Sequence, residues 1–309
     1  MKNNIDKHAY LIIAHNEKEV LKYLLKSIDD IRNDIYINID KKSKELNEEE
    51  ITPILKASNI YFFHEDVRWG DESQVHCEML LMKNANMNYE YKYYHIISGV
   101  DCIIKSQNYI HDFFQKNNGK EFIHFDSNHV SNTEVIDRIT YYHIFSKFFK
   151  KSSNKYINYF FTKLDKVCVT LQKIFGGKRQ IGFNILQKGC NWCSITNELV
   201  EYILTQEESI NYMVRKTKCA DEIFIQTIVA NSEFKDKLYG KNFENDYHDC
   251  LRYVIWNENN LKRPKLLDMN DYENIINSDC IFARKVSSKN SSSFELVKKI
   301  YKCVGEEKR

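Results

Sequence analysis

The sequence predicts an α/β fold, a Rossmann-like nucleotide-binding sheet flanked by helices. Three observations carry this. Ala9-Tyr10-Leu11-Ile12-Ile13-Ala14 is a continuous apolar run too short for a good helix, so it reads as a buried, parallel strand. Behind it Val20, Leu21, Leu24, Leu25 and Ile28 recur at helical spacing, and Ile35-Tyr36-Ile37-Asn38-Ile39 forms a second strand. Both strands run out into polar residues, His15-Asn16-Glu17 and Asp40-Lys41-Lys42-Ser43. Open α/β sheets bind ligands, often nucleotides, at those carboxyl ends. The Gly-rich loop of a dinucleotide site is missing, which argues against that class.

The remaining elements follow in order. Ile60–Phe63 is a third strand, Val67-Arg68-Trp69-Gly70-Asp71 a turn, and Ser73–Asn84 a helix with Val75, Met79 and Met82 on one side. Tyr93–Ser98 is a fourth strand running into Gly99-Val100-Asp101, where Asp101 is either a turn former or a ligand at the strand end. Phe122–Phe125 reads as a fifth strand and Gly189–Thr196 as a later one. Asn197 is positioned to cap a helix that buries Leu199, Val200 and Ile203. Residues 251–256 form a late strand carrying Arg252. The loop Lys262-Arg263-Pro264-Lys265, a short helix over Tyr272–Ile276, the stretch Cys280–Lys285 and a helix around Phe294–Val304 complete the chain.

Residues 141–180 differ in character. Tyr141, Tyr142, Phe145, Phe148, Phe149, Tyr156, Tyr159, Phe160 and Phe161 alternate with Lys147, Lys150, Lys151, Lys155, Lys163, Lys166, Lys173, Lys178 and Arg179, and Asp165 is the one acid. Such a segment either lies on an anionic membrane surface or is a helical insertion whose aromatics are core and whose lysines are solvated.

No low-complexity linker divides the 309 residues, so a single domain over 1–309 is expected. Within it 1–130 is the nucleotide-binding half, 141–180 the basic aromatic insertion, 181–287 the acceptor and catalytic half, and 288–309 a terminal helix and tail. A net charge of +2 gives no case for nucleic-acid binding. The opening residues lack the apolar core of a signal peptide, and no run of about 18 apolar residues offers a membrane span. Nine irregularly spaced cysteines then point to reduced thiols in a cytoplasm, with peripheral contact on the inner face of the plasma membrane through 141–180. Cys190-x-x-Cys193 stands without a second pair, which is weak evidence for zinc or redox work.

One stretch brings two carboxylates to the mouth of an apolar helical run. In Asp221-Glu222-Ile223-Phe224-Ile225-Gln226-Thr227-Ile228-Val229, the pairs Phe224/Ile228 and Ile225/Val229 are four apart and mark an inward stripe. Asp221 and Glu222 fall in the first turn, where the helix dipole favours negative charge. Glu222 there is either a plain helix-start acid or a carboxylate placed to accept a proton.

Together these residues resemble the core-2/I-branching β-1,6-N-acetylglucosaminyltransferase family, which includes the peptide O-xylosyltransferases. The resemblance covers about residues 8–287. It rests on Ala9–His15, Asn38–Ser43, Arg68-Trp69-Gly70, Ser98–Asp101, Gly189-Cys190-Asn191-Trp192 with Ser194-Ile195-Thr196, Asp221-Glu222 and Phe282-Ala283-Arg284-Lys285, in that order. It implies the type A glycosyltransferase fold, a UDP-sugar donor, inversion at the anomeric carbon and no metal or other cofactor. By resemblance Glu222 is the base, Asp40 contacts uridine, Trp69 flanks the base or ribose, and Arg252 and Lys285 hold the pyrophosphate. Ala14, His15, Arg68, Gly70, Asp101, Cys190 and Arg284 complete the nucleotide-sugar site, and Arg138 and Trp192 face the acceptor. Cys190 departs from the Ser common in relatives, which bears on a hydroxyl contact to the donor.

The chemistry is self-consistent. The chain has no Asp-x-Asp metal motif, yet negative charge must develop on the departing UDP. Arg252, Arg284 and Lys285 supply cations for it. The expected function is GlcNAc transfer to a hydroxyl of a glycan acceptor in surface polysaccharide or glycoconjugate synthesis. The alternatives are transfer from UDP-xylose, and a silent glycan- or nucleotide-binding relative attached to a membrane through 141–180.

Overall fold

The computed structural model describes residues 6–126, 133–148, 154–241, 247–256 and 264–306. β1 (His8–Ala14), α1 (Lys18–Ile28) and β2 (Asn33–Ile39) form the anticipated unit, followed by α2 (Glu48–Ile51), β3 (Asn59–Phe63), α3 (Ser73–Asn88) and β4 (Tyr93–Ser98). Then come β5 (Cys102–Ile103), α4 (Gln107–Lys116), α5 (Thr133–Thr140), α6 (Lys155–Ile174) and β6 (Ser194–Thr196). The last part holds α7 (Asn197–Thr205), α8 (Glu207–Val214), α9 (Phe224–Ala230), β7 (Arg252–Tyr253), α10 (Tyr272–Ile276), β8 (Phe282–Ala283) and α11 (Ser291–Glu306).

The main sheet runs β3-β2-β1-β4-β6; the first four strands are parallel and β6 is antiparallel to β4. The chain builds outward from β1 to β3, then returns to the other side of β1 for β4. That reversal of strand order makes the carboxyl ends of β1 and β4 the crevice where such sheets bind ligands. A second sheet, β5-β8-β7, sits beside it and joins a segment from the first half of the chain to two from the end. Through β5 and β6 the two halves share both sheets. At the switch point Gly99 leaves room for the crossing, because a Cβ there would lie 2.9 Å from the Cβ of Ala14.

Several elements differ from expectation. Phe122–Phe125 is not a strand; Phe122 makes an isolated bridge to Ser194, and Asp126 N–H donates to Lys188 O at 2.9 Å. Of Gly189–Thr196, only Ser194–Thr196 joins the ladder. The residues before it bond the 220–226 segment instead, Gly189 N–H donating to Glu222 O at 2.9 Å and Gln226 Nε2 to Cys190 O at 2.7 Å. Thr196, not Asn197, caps α7: its hydroxyl accepts from Leu199 N–H at 3.2 Å, and Asn197 is the first helical residue. Asp221 and Glu222 lie in a 3-10 turn, Ala220–Glu222, ahead of α9, because the left-handed Cys219 (φ 51°) turns the chain there. The late strand shrinks to Arg252–Tyr253, since Leu251 just before it is left-handed (φ 63°). α4, α5 and α8 were not anticipated; Ser106 caps α4, accepting from Tyr109 N–H at 3.3 Å.

In the 141–180 segment, Phe149, Lys150 and Lys151 lie outside the described residues, as do Lys262 and Arg263 of the later loop. α6 buries only Asp165 and Val169, so most of its aromatic and aliphatic side chains are not core. All nine cysteines are free thiols. Among the described residues no helix is long and apolar enough to cross a membrane.

Candidate active site

The site is built where the strands end. Asp40, just past β2, is tied to β1 by its N–H donating to Ala14 O at 2.9 Å, and its carboxylate accepts from Lys42 N–H at 2.8 Å. Ala14 is buried and offers only backbone to this end of the crevice. His15 follows it and is exposed. Partial burial lowers its pKa; Asp40 opposes that, and Lys285 and Lys42 add to it. Lys285 is itself exposed. Its position follows from Glu17, a left-handed residue (φ 60°) at the start of α1. The Glu17 carboxylate accepts from Ser287 Oγ at 2.6 Å and from Ser288 N–H at 2.8 Å. That clamp holds the chain after β8 against the β1–α1 turn.

Arg284 faces the same crevice from a fixed seat. Its Nε lies 3.1 Å from Asp101 Oδ1, and its guanidinium stacks on Trp192 at 4.5 Å. Asp101 is fully buried, accepts hydrogen bonds from Ser98 Oγ at 2.8 Å and Ser98 N–H at 3.0 Å, and meets Arg284 as an opposite charge. It therefore positions Arg284 and does not itself reach a ligand. Trp192 is 8% exposed beneath Arg284, so it supports that side chain and is not an open acceptor platform. Cys190 is buried beside Cys250 and Arg284, and burial pushes its thiol up.

Arg252 does not belong to this group. It is the largest fully buried side chain, and its guanidinium donates to Ile96 O at 3.1 Å, Cys193 O at 2.6 Å and Ser194 Oγ at 2.9 Å, and also to Cys250 O. It stacks on Phe282 at 4.3 Å. These bonds engage both Nη groups and join the two sheets at the core, and a fully buried side chain held this way does not fit the expected phosphate role.

The turn at 68–70 overhangs the site. Trp69 is 53% exposed, Gly70 is left-handed (φ 77°), and Gly70 O accepts from Cys219 N–H at 3.0 Å. Arg68 pairs with Asp66 at 2.7 Å, and Lys42 pairs with the same carboxylate at 2.6 Å. The turn is thus strung between the end of β2 and the segment carrying Glu222, with Arg68 engaged in holding it there.

Glu222 projects half-exposed from its 3-10 turn. Arg138 Nη1 of α5 is 3.0 Å from its carboxylate and Lys188 Nζ 3.7 Å away. Arg138, expected at the acceptor, thus touches the proposed base. Burial works against the Lys188 charge, but Glu222 and Asp126 hold its pKa above the ordinary range. Behind Glu222, Asp221 is buried, and burial, then the Glu222 charge, push it up. Glu78 of α3 is 1% exposed and is pushed well above the usual carboxylate range by burial and then by Asp221. Lys188, Asp126 and Glu78 were missed in the sequence. Glu78 sits in the predicted 73–84 helix among apolar residues, and that break in the pattern was its one available signal.

Glu78 makes stability depend on pH. Burial raises its pKa in the fold above that in the unfolded chain, so its cost to stability grows as pH rises above the unfolded value of about 4.3, by up to about 1.4 kcal/mol per unit, until the folded value is passed. Glu78→Gln removes that ionisation. Urea unfolding should show the variant gaining on the wild type as pH rises from 5 to 8; parallel curves would mean that Glu78 is charged in the fold.

Among the described residues no group of three or more His, Cys, Asp or Glu is arranged to hold a metal ion. The family model for Core-2/I-Branching enzyme matches residues 8–276. No curated protein matches the chain.

Proposed function

The chain belongs to the core-2/I-branching enzyme family and is a glycosyltransferase; from that premise we propose that it moves GlcNAc from UDP-GlcNAc to a hydroxyl of a surface-glycan precursor, with inversion and without a metal. The observation that carries the proposal is the placement of Glu222. It stands at the rim of the crevice, held by Arg138 and Lys188, on a segment bonded to the Trp69–Gly70 turn. Asp40, His15 and Lys285 lie at the strand ends that floor the same crevice.

In the proposed reaction Glu222 takes the proton of the acceptor hydroxyl. The oxygen attacks C1 of the donor as the bond from C1 to the UDP oxygen breaks on the opposite face. The leaving diphosphate gains negative charge, which Lys285 and the fixed Arg284 offset. Those two cations are what the metal-independent reading rests on. Asp40 contacts uridine and Trp69 covers the base or ribose. Nine free thiols support a cytoplasmic setting.

UDP release from a panel of UDP-sugars, with and without EDTA, tests the proposal. EDTA-resistant release from UDP-GlcNAc is expected. Release that EDTA abolishes would replace the cation mechanism with a metal. The Arg68-Trp69-Gly70 turn is similar to the turn over the nucleotide in the xylosyltransferase branch of the family, which gives UDP-xylose as a second donor reading, and the same panel separates the two. Lys285→Ala should weaken UDP binding about 10- to 100-fold, the worth of a charge-assisted bond to phosphate. Unchanged affinity in titration calorimetry would remove Lys285 from the phosphate site.

A further inference from the structure

α6 carries an apolar stripe that nothing in the described structure covers. Tyr156, Phe160, Val167, Leu171 and Ile174 are 47–71% exposed. Their spacing of four, seven, four and three residues places them on one side of the helix. The stripe runs for about 27 Å at 1.5 Å per residue. This is not a side chain or two left over from packing; it is the outward face of a 20-residue helix.

The inward face is fully engaged. Asp165 accepts from His143 Nδ1 at 2.6 Å, Gln172 bonds the backbone of Tyr142 in both directions at 2.9 and 2.8 Å, and Phe161 stacks on Phe148 at 4.6 Å. Asp165 is the one acid in the helix and is 4% exposed. The exposed charge on α6 is therefore positive throughout: Lys155, Lys163, Lys166 and Lys173 flank one edge of the stripe.

We propose that this face of α6 lies on an anionic phospholipid surface, apolar stripe in the acyl boundary and lysines at the headgroups. Charge selects this occupant. A second copy packed stripe to stripe would bring two lysine rows together with no exposed acid on either helix. Lys173 has Asp137 as its counter-charge, and an anionic bilayer supplies one for Lys155, Lys163 and Lys166. A helix bonded along its inner face to the protein lies on the membrane and does not cross it.

The placement also bears on the substrate, and here it rests on the glycosyltransferase reading. α5 joins the two sites: Asp137 pairs with Lys173 of α6, and the next residue, Arg138, pairs with Glu222. A surface that holds α6 thus lies one helix from the proposed base. That geometry suits an acceptor glycan carried on a lipid.

Sedimentation of the full chain with phosphatidylglycerol-rich vesicles at low salt, against pure phosphatidylcholine, tests the surface. Binding to the anionic vesicles alone is expected. Phe160→Glu with Leu171→Glu, both exposed positions, should abolish it. Lys155→Gln, Lys163→Gln and Lys166→Gln together should weaken it about 100-fold, at about 1 kcal/mol per lysine. Absent wild-type binding, or binding untouched by the glutamate pair, overturns the proposal; so does a dimer in sedimentation equilibrium that the glutamate pair dissociates while vesicles bind nothing. UDP affinity measured on the same proteins keeps the two ideas apart. Vesicle binding with no UDP binding in the wild type would sink the glycosyltransferase chemistry and leave the membrane surface standing.

Discussion

Glu222→Gln should lose about 10²–10⁴ of transfer rate while binding UDP as the wild type does, because a general base is worth about that much. Gln keeps the shape of the side chain and its contact with Arg138, but it has no lone pair basic enough to take the acceptor proton. The separation of effects matters as much as the size. The floor of the proposed donor site, Asp40, His15 and Lys285, comes from the ends of β1 and β2 and from the chain after β8, so it should not register the change. A variant with near wild-type transfer would return Glu222 to the bland role of an acid in a turn. A variant that loses UDP binding would mean that the carboxylate helps shape the donor site.

Arg252→Met should cost roughly 3–5 kcal/mol of stability and leave UDP affinity unchanged in the protein that remains folded. The basis is the cost of stripping a buried charged donor from partners that have no water to turn to. Ile96 O, Cys193 O, Cys250 O and Ser194 Oγ would each lose their bond to it. Urea unfolding and titration calorimetry read the two quantities separately. Weaker UDP binding with unchanged stability would restore Arg252 to the phosphates and overturn its assignment to the core.

The pair of predictions marks a boundary between two kinds of information. Strands β1 to β4 were legible because their side chains alternate or run apolar over lengths that no helix of that size would use. The crevice at their ends follows from the strand order and needs no further clue. Asp40, His15, the 68–70 turn and Asp221-Glu222 were legible as an ordered series of motifs, and the family match covers the same span. Phe122–Phe125 and residues 189–193 look like strands one residue at a time. Gly189 N–H, Cys190 O and His124 O instead bond Glu222 and Gln226, and Asp126 N–H bonds Lys188 O, choices that only a packed molecule can make.

Residue type in this sequence determined the fold class and the family, and singled out the acid proposed as the base. Tertiary structure alone decided which cations face the crevice. Arg252 and Arg284 are both arginines beside short late strands, and both stack on an aromatic ring, at 4.3 and 4.5 Å. One is sealed among four core acceptors; the other is turned toward the crevice by Asp101. The physical reason is that a buried guanidinium goes where carbonyl oxygens or an opposite charge surround it. Those groups, Ile96 O and Cys193 O in one case and the Asp101 carboxylate in the other, lie between about 60 and 180 residues away along the chain, and only folding brings them within reach.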